Sequence, residues 1–405
     1  DGNAPWTALG VSTPGYGSGP LSSDTYFRRA VTSTLLGQSC TEYSNTVLVI
    51  VNSFDPGTIV SAQVICDNTA PAAFTSTLSP SGAGTFTYQW QNSTDGTNFS
   101  SISGATSETY ASASLSVDTW FRRQVTSTLN GKACIEVTPS ILVQVNNITP
   151  GTIGAAQTIC EGATPAPLTE TGAPTLDGAI SYQWQESSDG STFVNVAAAG
   201  NAATYSPGAL TADTWYRRQV TSTIGANLCT EESNVIKITV NNFIPGNIAA
   251  DQTICENTAP AAFTSTTPSG DGAFTYKWYY STNGTTFFQI GAAFSETYSA
   301  GSLAADTWYF REVTSTLSGN TCVERTDTLL ITVNNFSPGS ITGDQTICEG
   351  TVPSAAFGST TPTGDGAFSY QWKESADGIT YTDISSSNVE IYTETAALTA
   401  DKWYK

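Results

Sequence analysis

The feature that most constrains this chain is its period. The motif Tyr-x-Trp occurs at Tyr88/Trp90, Tyr182/Trp184, Tyr276/Trp278 and Tyr370/Trp372, 94 residues apart each time. A second tryptophan series, Trp120, Trp215, Trp308 and Trp403, keeps that spacing to within one residue, and Tyr26 holds the equivalent place near the start. Pro56, Pro150, Pro245 and Pro338, each followed by glycine, recur in step, as do the turn pairs Asp1-Gly2, Asp95-Gly96, Asp189-Gly190, Asn283-Gly284 and Asp377-Gly378. A fixed period of this kind specifies a tandem array of like modules. Cutting at the prolines gives complete repeats at 56–149, 150–244 and 245–337. A partial repeat at 1–55 holds the C-terminal part of a unit, and another at 338–405 lacks its last strand. The array is cut out of phase at both ends, so we expect a window of a longer or processed chain.

Within a repeat the hydrophobic pattern is that of strands. Val47 to Val51, Val235 to Val240 and Leu329 to Val333 are short β-branched runs that end at asparagine, and Ser181 to Gln185 alternates large and small side chains. No stretch carries a helical stripe of ten or more residues. The Asp-Gly and Asn-Gly pairs read as hairpin turns. About seven short strands in 94 residues is the size of an immunoglobulin-like sandwich, in which a tryptophan on the third strand fills the space between sheets. Trp90, Trp184, Trp278 and Trp372 are the expected core tryptophans. Leu210 to Tyr216 reads as the turn before the sixth strand: Leu210 enters the core, Asp213 caps the turn and the aromatics begin the strand. Leu21/Asp24, Leu115/Asp118, Leu303/Asp306 and Leu398/Asp401 repeat it. The expected fold is therefore all-β, a tandem array of immunoglobulin-like β-sandwich domains forming an extended rod.

Composition narrows the chemistry. There are 34 acidic and 14 basic side chains, no histidine and no methionine, for a formal charge of -20. Without histidine there is no His-dependent triad, no imidazole metal ligand and no side chain that ordinarily titrates near neutral pH. An acidic chain is a poor match for nucleic acid, whose binding rests on neutralising phosphates with Lys and Arg. No apolar run approaches the roughly 18 residues of a membrane helix. No P-loop, GxSxG, HExxH or recurring carboxylate pair appears, so we expect no enzyme activity and no cofactor. The linkers at 52–57, 146–151, 241–246 and 334–339 offer asparagine and mostly lack aspartate, which argues against calcium.

Taken together, P-G-x-I-x(5)-[TV]-I-C at Pro150 to Cys160, Y-Q-W-Q at Tyr182 to Gln185, S-S-D-G at Ser187 to Gly190 and D-T-W-Y-R-R-Q-V-T-S-T at Asp213 to Thr223 resemble the Ig-like repeats of large Bacteroidota cell-surface proteins. The resemblance covers essentially the whole chain. It implies export by the type IX system and service as an adhesin or a gliding-associated filament.

Eight cysteines fall two to a repeat: Cys40, Cys66, Cys134, Cys160, Cys229, Cys255, Cys322 and Cys348. No CxxC spacing suggests metal or redox chemistry, and in a secreted chain such a pattern reads as disulfides. Pairing within a repeat joins Cys66 with Cys134, Cys160 with Cys229 and Cys255 with Cys322, and sends Cys40 and Cys348 to partners outside the window. Pairing across each linker joins Cys40 with Cys66, Cys134 with Cys160, Cys229 with Cys255 and Cys322 with Cys348. The first is the expectation carried forward. The second stays open, because in the first the two cysteines of a unit could lie at opposite ends of a sandwich, beyond disulfide reach.

The arginine pairs Arg28/Arg29, Arg122/Arg123 and Arg217/Arg218 become Phe310/Arg311 in the third complete repeat. Neighbouring strand residues face opposite ways, so one of each pair turns inward or to the rim. One reading is an ion pair with a carboxylate of the same unit, such as the turn aspartate. The other is a contact with a neighbouring chain or an anionic glycan through Arg122, Arg123, Arg217 and Arg218. Asp-Thr-hydrophobic triplets make Thr119, Thr214, Thr307 and Thr328 candidate O-glycosylation sites of the Bacteroidota type, although the turn aspartate explains the first three without sugar.

The functional expectation is a non-catalytic structural segment of an extracellular or cell-surface filament or adhesin stalk. Its partners would be neighbouring repeats or other copies of itself, and surface glycans are a further candidate. The alternative is an array of glycan- or protein-binding modules using Phe99, Phe193, Phe287 and Tyr381, and less favoured is a spacer attached to a secreted enzyme.

Overall fold

The computed structural model describes residues 5–154, 156–197 and 199–405. The Asp1-Gly2 turn lies outside the described residues. Every regular element is a β-strand. The chain divides into two compact units, one of Asp1–Ala155, Pro167–Ser206 and Trp215–Ile236, the other of Ala156–Ala166, Pro207–Thr214 and Lys237–Lys405.

In the first unit, the repeat after Pro56 shows the architecture in full. Its strands are β1 (Phe54–Asp55), β2 (Thr58–Ile59), β3 (Gln63–Cys66), β4 (Ser76–Leu78), β5 (Ser81–Gly82), β6 (Thr85–Ser93), β7 (Ser100–Ser101), β8 (Thr119–Leu129), β9 (Lys132–Val137) and β10 (Ile141–Asn146). The main sheet runs β7-β6-β8-β10-β3, with β9 extending the far end of β8. All its pairs are antiparallel except β10 with β3, which puts Asn146 beside Cys66. The facing layer is built of short pieces, β1 with β5 and β2 with β4, and of single bridges Thr69 to Leu115 and Phe74 to Tyr110.

The 11 residues of β8 alternate strictly, burying Thr119, Phe121, Arg123, Val125 and Ser127 and turning Trp120, Arg122 and Gln124 outward. That alternation is what a strand with one face on a core must have. Ile59, Ile65, Phe74, Trp90, Phe121, Val143 and Val145 form the core. The rings of Phe74 and Phe121 lie 4.6 Å apart and those of Phe74 and Trp90 5.6 Å apart. Trp90, Trp184 and Trp278 are 0% exposed and Trp372 is 4%. Each indole N–H donates to a backbone carbonyl, of Ser107, Ala202, Ser295 and Val389 respectively, so full burial leaves no polar atom unmet.

The middle repeat places Ala179–Ser187 against Thr214–Ile224, and its Gln157–Cys160 runs parallel to Ile236–Asn241. In the second unit the third complete repeat repeats the sheet, order Gln252–Cys255, Leu329–Asn334, Thr307–Leu317, Ala273–Ser281, Phe288–Gln289. Phe263, Trp278, Tyr309, Leu329 and Ile331 fill its core.

One local expectation needs refining and one needs correction. The Asp-Gly and Asn-Gly pairs do lie between paired antiparallel strands, but in a loop longer than two residues. Asp95 sits in a longer loop between β6 and β7, where its Oδ1 accepts the N–H groups of Thr97 and Asn98 and Ser93 Oγ accepts that of Gly96. The glycine is required there by the second tryptophan series: Trp120, Trp215, Trp308 and Trp403 pack over Gly96, Gly190, Gly284 and Gly378, where a Cβ would come within 3.1–3.4 Å of the ring. The tight hairpins instead join β8 to β9 through Asn130-Gly131, and recur at Leu36-Gly37 and Ser318-Gly319, with both central residues at positive φ. Such a pair of dihedrals matches the twist of a two-residue hairpin. Nor does the turn aspartate cap its own turn. Asp118 Oδ1 accepts the N–H of Val145 at 2.8 Å, and Asp24, Asp213 and Asp306 do the same for Val51, Val240 and Val333. It ties the start of one strand to the last strand of the repeat.

Candidate functional site: the joint between repeats

The last long strand of a repeat closes on asparagine, and Asn52, Asn146 and Asn241 reach into the repeat that follows. Asn146 Nδ2 donates to the backbone carbonyl of Ser222 at 3.1 Å, and Ser222 Oγ donates back to Asn146 Oδ1. Asn241 and Ser315 make the same exchange, at 3.3 and 2.9 Å, and Asn52 and Ser127 make it at 2.9 Å in both directions. Asn146, Asn241 and the three serines are at most 1% exposed. A buried asparagine is tolerated because both ends of its amide are used. Asn227 adds a third strut by donating its Nδ2 to the carbonyl of Val64 at 3.2 Å.

The cysteines sit beside this clasp. Cys66 is the register partner of Asn146, and Cys229 that of Ser222. The structure bonds Cys66 to Cys229, and likewise Cys160, beside Asn241, to Cys322, beside Ser315, each with Cα atoms 5.5 Å apart. The disulfides therefore join successive repeats, with sequence separations of 163 and 162.

This corrects the expected pairs Cys66–Cys134, Cys160–Cys229 and Cys255–Cys322, and equally the pairing across each linker. The reason is geometric. Cys134 lies opposite Ser127, at the end of its repeat that receives Asn52 from the preceding one, whereas Cys66 lies beside Asn146, at the end that enters the next. The two cysteines of one unit occupy opposite ends, and Cys66 and Cys160 each meet a cysteine of the following repeat. Cys40, Cys134, Cys255 and Cys348 are free among the described residues.

The arginines part company as alternation requires: the inner one is too buried to meet a neighbouring chain or a glycan, and the ion pair expected with a carboxylate of the same unit is made by Arg218, with Glu170 rather than the turn aspartate. Arg123, Arg218 and Arg311 are 0% exposed. Arg123 Nη1 donates to Ser76 Oγ at 2.7 Å and to the Glu108 carbonyl at 2.8 Å, while Nη2 reaches the carbonyl of Pro56. Arg311 holds the carbonyls of Glu296, Pro245 and Thr266, and Arg218 those of Ala203 and Pro150 together with the Glu170 carboxylate at 3.0 Å. Burial lowers the pKa of Arg123 and Arg311, and Glu108 and Glu296 oppose that shift. The guanidinium is a core strut that locks the Pro-Gly corner to the sheet, with a tyrosine ring 4.7–5.3 Å away in each repeat. Arg123 and Arg218 are thus not surface contacts.

Arg122 and Arg217 are half-buried, donating Nε to Gln91 and Gln185 at 2.7 Å and lying 4.0 and 4.3 Å over the rings of Phe99 and Phe193. Where the first arginine is lost, Phe310 packs on Phe287 and Tyr279 instead. Lys405 covers Tyr381 at 4.2 Å. The aromatics proposed for ligand binding are therefore each covered by a side chain of their own repeat.

Of the candidate glycosylation residues, Thr119 and Thr307 are 3% and 5% exposed and donate their hydroxyls to the carbonyls of Val117 and Ala305, so neither presents a free acceptor. Thr214 is half-buried and donates to the carbonyl of Ala212, whereas Thr328 stands exposed in the connection between two strands. Among the described residues no three metal-ligating side chains come together. A trough lined by Ile341–Glu349 and Leu398–Tyr404 corresponds to the seat that the last strand fills in complete repeats, as β10 does between β3 and β8.

The sequence model of the family described as Domain of unknown function (DUF8696) matches residues 55–147, 149–242, 244–335 and 337–405. The chain belongs to this family. No curated protein matches the sequence. Among solved structures, the three N-terminal domains of the bacteriophage RB49 Highly Immunogenic Outer Capsid protein (Hoc) are 13% identical with a TM-score of 0.33, over 66% of this chain and 96% of that one. Titin domains A168–A170 are 12% identical, with a TM-score of 0.27 over 70% and 100%. Sidekick-1 immunoglobulin domains 1–5 are 13% identical, with a TM-score of 0.24 over 81% and 68%. The four DUF8696 matches of this chain are all-β repeats in tandem, and two disulfides join successive ones.

Proposed function

We propose that this chain is a non-catalytic structural segment of an extracellular filament or adhesin stalk, in which successive DUF8696 repeats act as bolted spacers. The observation that carries this reading is the pair of disulfides between neighbouring repeats. Such bonds persist in oxidising surroundings outside the cytoplasm, and they fix one module to the next rather than shaping a site within one. The charge of -20 supports it, since repulsion between like-charged arrays opposes lateral clumping. Export by the type IX system and a place at the bacterial surface belong to the same proposal, as does Thr328 as the one exposed acceptor among the candidate threonines. Partners in this reading are neighbouring repeats and other copies of the chain.

The adhesive alternative is disfavoured by the covered rings of Phe99, Phe193, Phe287 and Tyr381. Immunogold electron microscopy with an antibody to the chain tests the proposal: label along filaments or stalks outside the cell is expected, and label confined to the cytoplasm overturns it. Tight, saturable capture of one glycan class by the purified chain on an array would favour the adhesive reading instead.

A further inference from the structure

The two disulfides follow one rule. In each, a cysteine beside the closing asparagine, Cys66 by Asn146 or Cys160 by Asn241, meets the cysteine opposite the clasp serine of the next repeat, Cys229 by Ser222 or Cys322 by Ser315. The cysteines that are free among the described residues divide the same way. Cys255 lies beside Asn334, and Cys348 holds the place of Cys66 in residues 338–405, so both are of the first kind. Cys40 lies opposite Ser33 and Cys134 opposite Ser127, so both are of the second.

The two partial repeats that flank the array match in shape as well. Residues 47–52 are the last strand of a repeat, and Val49 is 39% exposed where its counterparts Val143, Ile238 and Ile331 are 0%. The trough of residues 338–405 is the seat for such a strand, and its Ile341 is 43% exposed against 7% for Ile59. Arg29, the inner arginine of its repeat, is exposed, whereas Arg123, Arg218 and Arg311 are buried. A second cavity in residues 338–405 is lined by Pro338, Ser359, Thr360, Tyr370 and Glu390. Their counterparts Pro245, Thr266, Tyr276 and Glu296 surround the guanidinium of Arg311, and Ser76 accepts from that of Arg123. Ser359 Oγ is shut from water with no hydrogen-bond partner.

We propose that residues 29–52 of one copy of this chain complete the repeat begun by residues 338–405 of a second copy, so that copies join head to tail through the same joint that links repeats within a chain. The strand 47–52 lies in the trough beside 345–348, and Arg29 enters the cavity between Tyr370 and the Pro338 and Glu390 carbonyls. The bonds then follow from the clasps. Asn52 already exchanges hydrogen bonds with Ser127, whose register partner is Cys134, so the shared strand brings Cys348 of one copy to Cys134 of the other. Asn334, exposed in a single copy, clasps Ser33 of the other and brings Cys255 to Cys40. Residues 24–28 and 401–405 carry the same strand start, so one stretch yields its place to the other. Such a heterologous contact repeats from copy to copy into a filament or a ring rather than stopping at a dimer. The inference deepens the stalk reading, in which other copies of the chain are the partners, and rests on it for surroundings where disulfides form.

The test folds the 405-residue chain oxidatively from an equal mixture of light-nitrogen and heavy-nitrogen copies and maps its peptides without reduction. Linked peptides Cys134–Cys348 and Cys40–Cys255, with about half of them joining a light to a heavy copy, are expected, together with a ladder of multimers on a non-reducing gel. A monomer with four free thiols, or these pairs formed only within single copies, would overturn the proposal. A chain carrying Cys40→Ser, Cys134→Ser, Cys255→Ser and Cys348→Ser should still assemble, now reversibly. In that background Arg29→Ala should raise the concentration of half-assembly, read by light scattering, about 30-fold or more, and the outward Arg28→Ala less than about fivefold. Equal effects of the two would overturn the seating of Arg29. In protein isolated from its own cells, Cys255 or Cys348 bonded to a peptide from outside the 405 residues would overturn the joint between copies. Multimers of the purified chain, with the chain found only in the cytoplasm, would overturn the stalk reading and leave the joint standing.

Discussion

Asn146 and Ser222 exchange hydrogen bonds across the boundary between two repeats, amide to carbonyl at 3.1 Å and hydroxyl to amide oxygen in return, with both residues shut away from water. An amide and a hydroxyl buried together are stable only as a pair. Asn146→Ala should therefore strand the Ser222 hydroxyl and destabilise the joint by about 1–3 kcal/mol. Asn241→Ala should behave alike. Asn334, the exposed counterpart after the third complete repeat, should tolerate alanine with little change. Limited proteolysis of the full chain at 146–151 and 241–246 reads the difference, and equal sensitivity in all three variants would contradict it.

The inner arginine uses Nη1 and Nη2 on acceptors that face it from separate segments, Glu108 and Ser76 on one side and Pro56 on the other. A lysine offers one compact charge and cannot span them. Arg123→Lys should cost about 2–4 kcal/mol in urea unfolding, because a buried charge is left short of partners, whereas Arg122→Ala, on the half-exposed face, should cost less than about 1 kcal/mol. Similar losses at the two positions would argue against the core role of Arg123.

Gly57 and Gly131 share a positive φ of 75°, yet their surroundings differ. A Cβ on Gly57 would lie 2.2 Å from the carbonyl oxygen of Leu78, whereas one on Gly131 would meet nothing within 4 Å. Gly131→Ala should thus lose only the left-handed penalty, about 1–2 kcal/mol, and Gly57→Ala should lose several more or fail to fold. Thermal melts of the two variants side by side provide the comparison.

Asp377 accepts the backbone N–H groups of Thr380 and Ile379 and the hydroxyl of Ser375, which together hold its pKa at about 2, below the usual 3.8. A lowered carboxylate pKa stabilises the folded turn above the unfolded value and loses that contribution as pH falls through the folded one. The turn should therefore hold at pH 5 and loosen between about pH 4 and pH 2. Amide shifts of Ile379 and Thr380 followed by NMR should titrate with a midpoint near 2; a midpoint near 4 would mean the bonds are not made.

Much of the repeat was legible because local pattern and tertiary role coincide. The tryptophan of the Tyr-x-Trp strand read as a core residue and Trp90 is one, although the equally periodic Trp120 turns outward. The Asp-Gly steps sit between antiparallel strands as their sequence suggests, and the glycine after Asp95 proved to be there for the ring of Trp120, whereas the tight hairpin at Asn130-Gly131 was passed over. The role of Asp118 was misread because the donor it accepts from, the Val145 N–H, comes 27 residues later on a strand it meets only in the folded sheet. Arg123 was misread for the same reason, since the Pro56 carbonyl that holds it lies 67 residues back.

The cysteines mark the boundary most sharply. Periodicity alone determined that there are two per repeat, that the modules are β-sandwiches and that a tryptophan fills each core, because those properties follow from composition and spacing within one period. Which cysteine meets which was decided only in three dimensions. A disulfide forms where two Cα atoms come within about 6 Å. Cys66 and Cys134 are borne on opposite ends of one sandwich, so the sulfur that reaches Cys66 belongs to the next repeat.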